Sequence, residues 1–156
     1  MSFEKAKKFL DEKGFGDRVS EFHVSSATVA LAAVAVGCEP ARIAKSLSFK
    51  VGDKALIVVT AGDMRIDNHK FKTVFHTKAK MLTPEETFSL IGHHVGGACP
   101  FGTEPGVRVC FDISLKRFDY IYPACGSSNS AVKLSPEELE NIVDGAEWVD
   151  VCVQFT

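Results

Sequence analysis

The sequence predicts a mixed α+β fold, and three observations predict it. The alternating stretch 45–51 is followed by the turn Gly52-Asp53-Lys54 and a continuous apolar run at 55–59. That is the pattern of a hairpin whose second strand is buried on both faces. Two segments, Thr83-Pro84-Glu85-Glu86 and Ser135-Pro136-Glu137-Glu138, each supply a capping hydroxyl, a proline at the first helical position and a glutamate at the third. Alternating strands near 107–111, 119–123 and 131–134 fall between these two helix starts. Strands in hairpins with helices packed outside them give the expected layering.

The remaining elements follow in order. Phe3, Ala6 and Leu10 recur at helical spacing among charged residues, and Gly14 supplies a stop. Residues 19–24 suit a short strand. Ser26 is placed to cap a helix over 27–36 that Gly37 ends. That helix has almost no polar face, so it is either buried on several sides or part of a contact surface. Asp67 caps a helix carrying Phe71, Val74 and Phe75. The helix from Thr83 stops at Gly92, and the one from Ser135 stops at Gly145. A last strand, 148–155, would set Val149, Val151, Val153 and Phe155 on one face. No linker, repeat or low-complexity segment interrupts the pattern, so a single domain over 1–156 is expected.

Composition narrows the function classes. Apolar residues make up 46% and charged residues 24%, a globular balance that argues against disorder. Twelve Phe against one Trp and two Tyr point to a core filled by apolar rings. The net charge of −2 lacks the basic excess of proteins that grip long nucleic acids. The five cysteines form no C-x-x-C pair, which disfavours a disulfide framework or a zinc ribbon and suits reduced cytosolic thiols. The first residues turn amphipathic at once, unlike a signal peptide, and no apolar run is long enough for a bilayer. A cytoplasmic location is expected.

Three segments carry candidate chemistry. Lys45 shares its strand parity with Leu47, Phe49 and Val51, which sets it on the core face; spacing alone favours a lysine that snorkels to solvent. Gly96-Gly97-Ala98-Cys99-Pro100-Phe101-Gly102 is a tight loop whose backbone N–H groups suit a carbonyl oxygen or a phosphate, or which simply reverses the chain. Ala124-Cys125-Gly126-Ser127-Ser128-Asn129-Ser130 offers hydroxyls and an amide to a ribose or phosphate, or forms a polar hairpin turn. His93 and His94 precede the glycine loop, but with Cys99 they make no recognised ligand pattern, so no metal is expected. Cys99 with His94 is also a candidate nucleophile pair, subject to the thiol's pKa and exposure. Asp112, at a strand end, orients a neighbour or caps the following turn.

Taken in order, Ile43-Ala44-Lys45-Ser46-Leu47-Ser48-Phe49, Gly92-His93-His94-Val95-Gly96-Gly97-Ala98-Cys99-Pro100-Phe101-Gly102 and Ala124-Cys125-Gly126-Ser127-Ser128-Asn129 resemble the YbaK family. That family is related to the editing domain inserted in bacterial prolyl-tRNA synthetases. Ala61-Gly62-Asp63 and Leu134-Ser135-Pro136-Glu137-Glu138-Leu139 fit the same resemblance. It implies a curved mixed sheet, partly closed like a barrel and flanked by helices. It implies hydrolysis of the ester that joins a small amino acid, of the Ala, Cys or Ser type, to the terminal adenosine of tRNA, without metal or other cofactor. Lys45 corresponds to the family's essential lysine and Gly96 to Pro100 to its G-x-x-x-P substrate loop. Backbone N–H groups of Gly97, Ala98 and Cys99 would hold the acyl carbonyl. His94, Phe101, Gly102, Asp112 and the segment Gly126 to Asn129 would contact substrate.

The implied partners are the acceptor end of an aminoacyl-tRNA and a synthetase, with neither membrane nor DNA. The chain departs from the family in the alanines and valines of 27–36 and in Cys99, where many relatives carry serine. The readings that compete are a non-catalytic tRNA-, nucleotide- or protein-binding module of the same fold and a thiol-dependent enzyme using Cys99.

Overall fold

The structure, a computed structural model, describes residues 2–155. In chain order the elements are α1 (Ser2–Glu12), β1 (Val19–Glu21), α2 (Val29–Val36), β2 (Ile43–Val51), β3 (Lys54–Ala61), β4 (Met64–Ile66), α3 (Asn68–Phe75) and α4 (Pro84–Glu86). There follow β5 (Arg108–Asp112), β6 (Tyr122–Pro123), β7 (Ser130–Val132), α5 (Pro136–Ile142), β8 (Glu147–Val149) and β9 (Cys152–Gln154).

The predicted hairpin is the centre of the molecule. β2 and β3 pair antiparallel from Ala44↔Ala61 to Val51↔Lys54. Around them a five-stranded sheet runs β6-β2-β3-β5-β8, with the three outer pairings parallel. Two antiparallel ribbons, β1–β7 and β4–β9, flank this curved mixed sheet.

β3 is buried on both faces, as its unbroken apolar run requires. Ile57, Val59 and Ala61 join a larger core with Leu10 of α1, Phe111, Leu134 and Leu139 of α5. Leu56 and Val58 join a smaller core with Phe49, Phe71, Phe75 and Val151 beneath α3. Leu47, Phe49 and Val51 all lie on this second side. The face that sequence parity assigns to Lys45 is therefore a core face.

The helix starts lie where local chemistry puts them. Thr83 with Glu86 and Ser135 with Glu138 each form a reciprocal capping box, and the Asp67 side chain accepts from the Lys70 N–H. α4 passes into a π turn over Thr87–Ile91 and stops at Gly92.

Three boundaries differ from expectation. The helix over 27–36 is capped by Thr28, whose hydroxyl accepts from the Leu31 N–H at 3.2 Å, and not by Ser26. α5 ends at Ile142 with Val143 as its cap, so Gly145 shapes the next turn instead of closing the helix. The strand expected over 148–155 is broken into β8 and β9, which belong to different sheets. The break is at Val151: its N–H donates to the buried Asp112 carboxylate at 2.9 Å, and its carbonyl accepts from the Asp67 N–H at 2.8 Å. Those bonds turn the backbone away from the first sheet, and Val151 is buried while Phe155 is 61% exposed. Among the described residues, no helix is long and apolar enough to cross a membrane.

Candidate functional site

A gap in the pairing of β2 opens the site. β6 covers the outer edge of β2 only at Ile43 and Ala44. Further along, the segment 80–82 takes over: Leu82 N–H donates to Ser48 O at 3.0 Å and Lys50 N–H to Lys80 O at 2.9 Å. Among the described residues, no strand pairs with Lys45, Ser46 or Leu47 on this side. Backbone groups of a strand alternate in direction, so the Ser46 N–H and C=O face the same edge as those of Ser48 and Lys50. A cavity of about 250 Å³ sits at this gap, walled by residues 26–29 and Ala32, by β2 from Ile43 to Leu47, by Val95, Gly96 and Ala98, and by Tyr122, Ala124, Ser130 and Ala131.

The two loops singled out in the sequence meet behind the cavity. A Cβ on Gly97 would stand 2.6 Å from the Ser127 backbone, so only glycine permits that approach. Gly126 has φ 79 and a Cβ there would lie 2.4 Å from Ser2 O, which seats the second loop on α1. Asn129 Nδ2 donates to Phe22 O at 3.0 Å, Phe22 N–H to Asn129 O at 2.7 Å, and Ser26 N–H to Ser128 O at 2.6 Å. Ser127 Oγ bonds within the loop, to Asn129 Oδ1 at 3.0 Å and Ser130 Oγ at 2.6 Å. Ser128 and Asn129 therefore hold segment 22–28 in place, and none of Gly126, Ser127, Ser128 and Asn129 lines the cavity.

The glycine loop divides in the same way. Gly96 and Ala98 line the cavity, whereas Cys99, Pro100 and Phe101 are buried behind it, with the Phe101 ring 6.0 Å from that of Phe9. Gly102 packs against the backbone of Lys5. The Gly97 N–H expected to hold an acyl carbonyl donates instead to His94 O at 3.1 Å, closing the turn. His94 stacks on Phe88, ring centres 4.3 Å apart, outside the cavity lining.

The histidine beside Cys99 is His93, not His94, with Sγ 3.6 Å from Nε2. His93 Nε2 donates to Phe101 O at 2.7 Å, so Nδ1 accepts from the Ser2 hydroxyl at 2.5 Å. Burial pushes the imidazole pKa down. Burial likewise pushes the Cys99 thiol well above the ordinary range. A buried thiol held protonated is a poor nucleophile, and the pairing with His94 does not exist.

Lys45 divides between two sides of its strand. The residue is part of the cavity wall, but its ammonium donates to the carbonyl oxygen of Met64 and lies 5.0 Å from the centre of the Phe155 ring. Burial lowers its pKa below the ordinary lysine value, and the nearby Asp63 works the other way. Asp63 is itself held by Arg117 through two bonds of 2.6 and 3.0 Å, which draw its pKa down. Gly62 before it fits because a Cβ would meet Pro40 O at 2.1 Å. Asp112 is also away from the cavity: its two oxygens accept from the N–H groups of Ser114 and Val151 at 3.0 and 2.9 Å. Among the described residues, no three His, Cys, Asp or Glu side chains gather where a metal ion could be held.

Sequence reasoning missed most of the cavity's first wall, residues 26–29 with Ala32. The signal was the apolar face of 27–36, for Val29 and Ala32 line the cavity while Leu31 and Val34 are exposed.

The sequence model of the aminoacyl-tRNA editing domain matches residues 23–142. The chain belongs to the aminoacyl-tRNA editing domain family. The editing domain is 45% identical to the uncharacterised protein YwhH of Bacillus subtilis, over 97% of this chain and 98% of that one. It is also 29% identical to a proline–tRNA ligase of a Geobacillus species, over 63% of this chain and 18% of the ligase. Among solved structures, a candidate trans-editing enzyme for prolyl-tRNA synthetase superposes with a TM-score of 0.88 at 29% identity, covering 99% of this chain and 98% of that one.

Proposed function

We propose that this editing domain acts in trans in the cytoplasm, hydrolysing the ester between a small mischarged amino acid and the terminal adenosine of a tRNA. One observation carries the reading: every residue that lines the cavity falls within the span matched by the editing-domain family. Water attacks the ester carbonyl carbon, the acyl–oxygen bond breaks, and the ribose hydroxyl departs with a proton, leaving free amino acid and tRNA. In this reading the carbonyl oxygen takes N–H donors from Ala98 and Cys99, and from Ser46 at the open strand edge. Lys45 is the charged residue of the lining, and its ammonium turns from Met64 toward the substrate to balance developing negative charge. The tRNA enters by its acceptor end, in keeping with a net charge of −2, and a synthetase is the natural source of the mischarged product.

The test is a deacylation panel with Ala-, Cys-, Ser- and Pro-charged tRNA, for the native protein and Lys45→Ala. Release that depends on Lys45 supports the reading; full release by the variant removes the lysine from the mechanism. The anchoring of the ammonium away from the cavity favours a second reading, a binding module, which predicts saturable binding of charged tRNA with no release.

A further inference from the structure

Among the described residues, two buried side-chain oxygens have no hydrogen-bond partner, Ser26 Oγ and Ser46 Oγ. Both residues line the same cavity. They reach it from separate elements, Ser26 from the segment before α2 and Ser46 from the open edge of β2. Ser26 is 6% exposed, and its hydroxyl is not consumed in helix capping, because Thr28 does that. A buried hydroxyl without a partner destabilises a fold, so two on residues that wall one small cavity mark a place for a polar group that arrives with a ligand.

The rest of the lining says which polar group. Ala27, Val29, Ala32, Ile43, Ala44 and Ala98 are apolar and leave about 250 Å³, room for a short side chain. The lining holds no carboxylate, and its one charged residue is Lys45. An α-ammonium therefore finds no counter-charge in this cavity, and the two hydroxyls suit a neutral group that both donates and accepts. We infer that Ser26 and Ser46 form a specificity pair for a hydroxylated aminoacyl side chain, so that the cavity selects seryl or threonyl esters over alanyl ones. The inference rests on the deacylase reading above. A site that hydrogen-bonds a substrate hydroxyl rejects the analogue lacking it much more strongly than an apolar pocket sorts methyl groups. A cysteinyl thiol, a weak donor and acceptor, satisfies the pair poorly.

The experiment compares the native protein with Ser26→Ala, Ser46→Ala and the double variant. Release from Ser-, Thr-, Ala- and Cys-charged tRNA is measured, together with affinity for non-hydrolysable seryl- and alanyl-amide analogues of the terminal adenosine. The native protein is expected to favour seryl over alanyl at least tenfold in kcat/KM and in affinity. Each single variant should cut that ratio at least tenfold, or abolish it where it is smaller. Thermal unfolding of the ligand-free variants should show no loss of stability, because the removed hydroxyls bond to nothing. A seryl-to-alanyl ratio near one, or one that both variants leave unchanged, overturns the specificity pair while leaving deacylation intact. Absence of release from every tRNA, with a serine-dependent preference for the seryl analogue, upholds the pair and overturns the deacylase reading.

Discussion

The two sides of β2 behave differently. On one side, loops 96–102 and 124–130 are locked by backbone approach, with Gly97 against Ser127 and Gly126 against Ser2. On the other, the Lys45 ammonium is held by the carbonyl of Met64 and by an exposed ring, that of Phe155. One side is a rigid cradle built from main chain; the other is a single long side chain on a light anchorage. In the proposed reaction the cradle would set shape and the lysine would supply the movable charge. The predictions below break or sharpen that contrast.

The largest effect belongs to the lysine. Lys45→Ala should cut deacylation by about 10²–10³, the usual loss for one electrostatic contact to a developing oxyanion, with the fold unchanged by circular dichroism. Because burial lowers the Lys45 pKa, its charge is lost, as pH rises, below the ordinary lysine value of about 10.4. An alkaline limb in that range, absent from Lys45→Arg, would tie the rate to this group. A rate flat up to pH 10 would untie it.

Next comes the cradle. Gly97→Ala forces a methyl into the Ser127 backbone, which cannot yield as a flexible side chain would. Overpacking of about 2 kcal/mol corresponds to a fall in Tm of about 4–8 °C for a chain of this size. An unchanged melting curve would mean the loops are free to separate.

A smaller effect is expected beside the anchorage. Asp63→Asn should cost about 1 kcal/mol, since the Arg117 pair is bidentate but partly exposed. The Asp63 pKa is depressed by Arg117, so its contribution is complete above the unfolded value of about 3.9 and lost as pH falls through the lower folded value. Acid denaturation curves of native and variant proteins should converge in that acid range.

The smallest effect is a count. Four of the five cysteines are buried and Cys38 is half-exposed, so a thiol reagent should modify about one group in the native state and the rest on unfolding. Fast reaction at Cys99 would restore the thiol-enzyme reading.

Much of the fold was legible because its signals are local. Capping boxes at Thr83 and Ser135 need only four consecutive residues, and the hairpin needs only the alternation around Gly52. Parity alone placed Lys45 on a core face. What failed was non-local. Ser26 and Thr28 both fit as caps on paper; the choice falls on Thr28 while the Ser26 N–H is held by Ser128, a hundred residues away in the chain. Nothing in the sequence shows that Phe22 and Ser26 will bond to Asn129 and Ser128. The break in the last strand depends on Asp112, which lies 39 positions before Val151.

That broken strand bears on how the molecule is cut. The editing-domain match ends at residue 142, yet β8 covers β5, with Trp148 set against Phe111, and β9 covers β4. A chain cut after residue 142 would leave two rows of bare N–H and C=O groups, one of them beside a fully buried phenylalanine. Exposed edges of this kind template pairing with a second chain. The span that the family match covers is thus shorter than the span that closes the sheets, and residues 143–155 act as a guard against sticking.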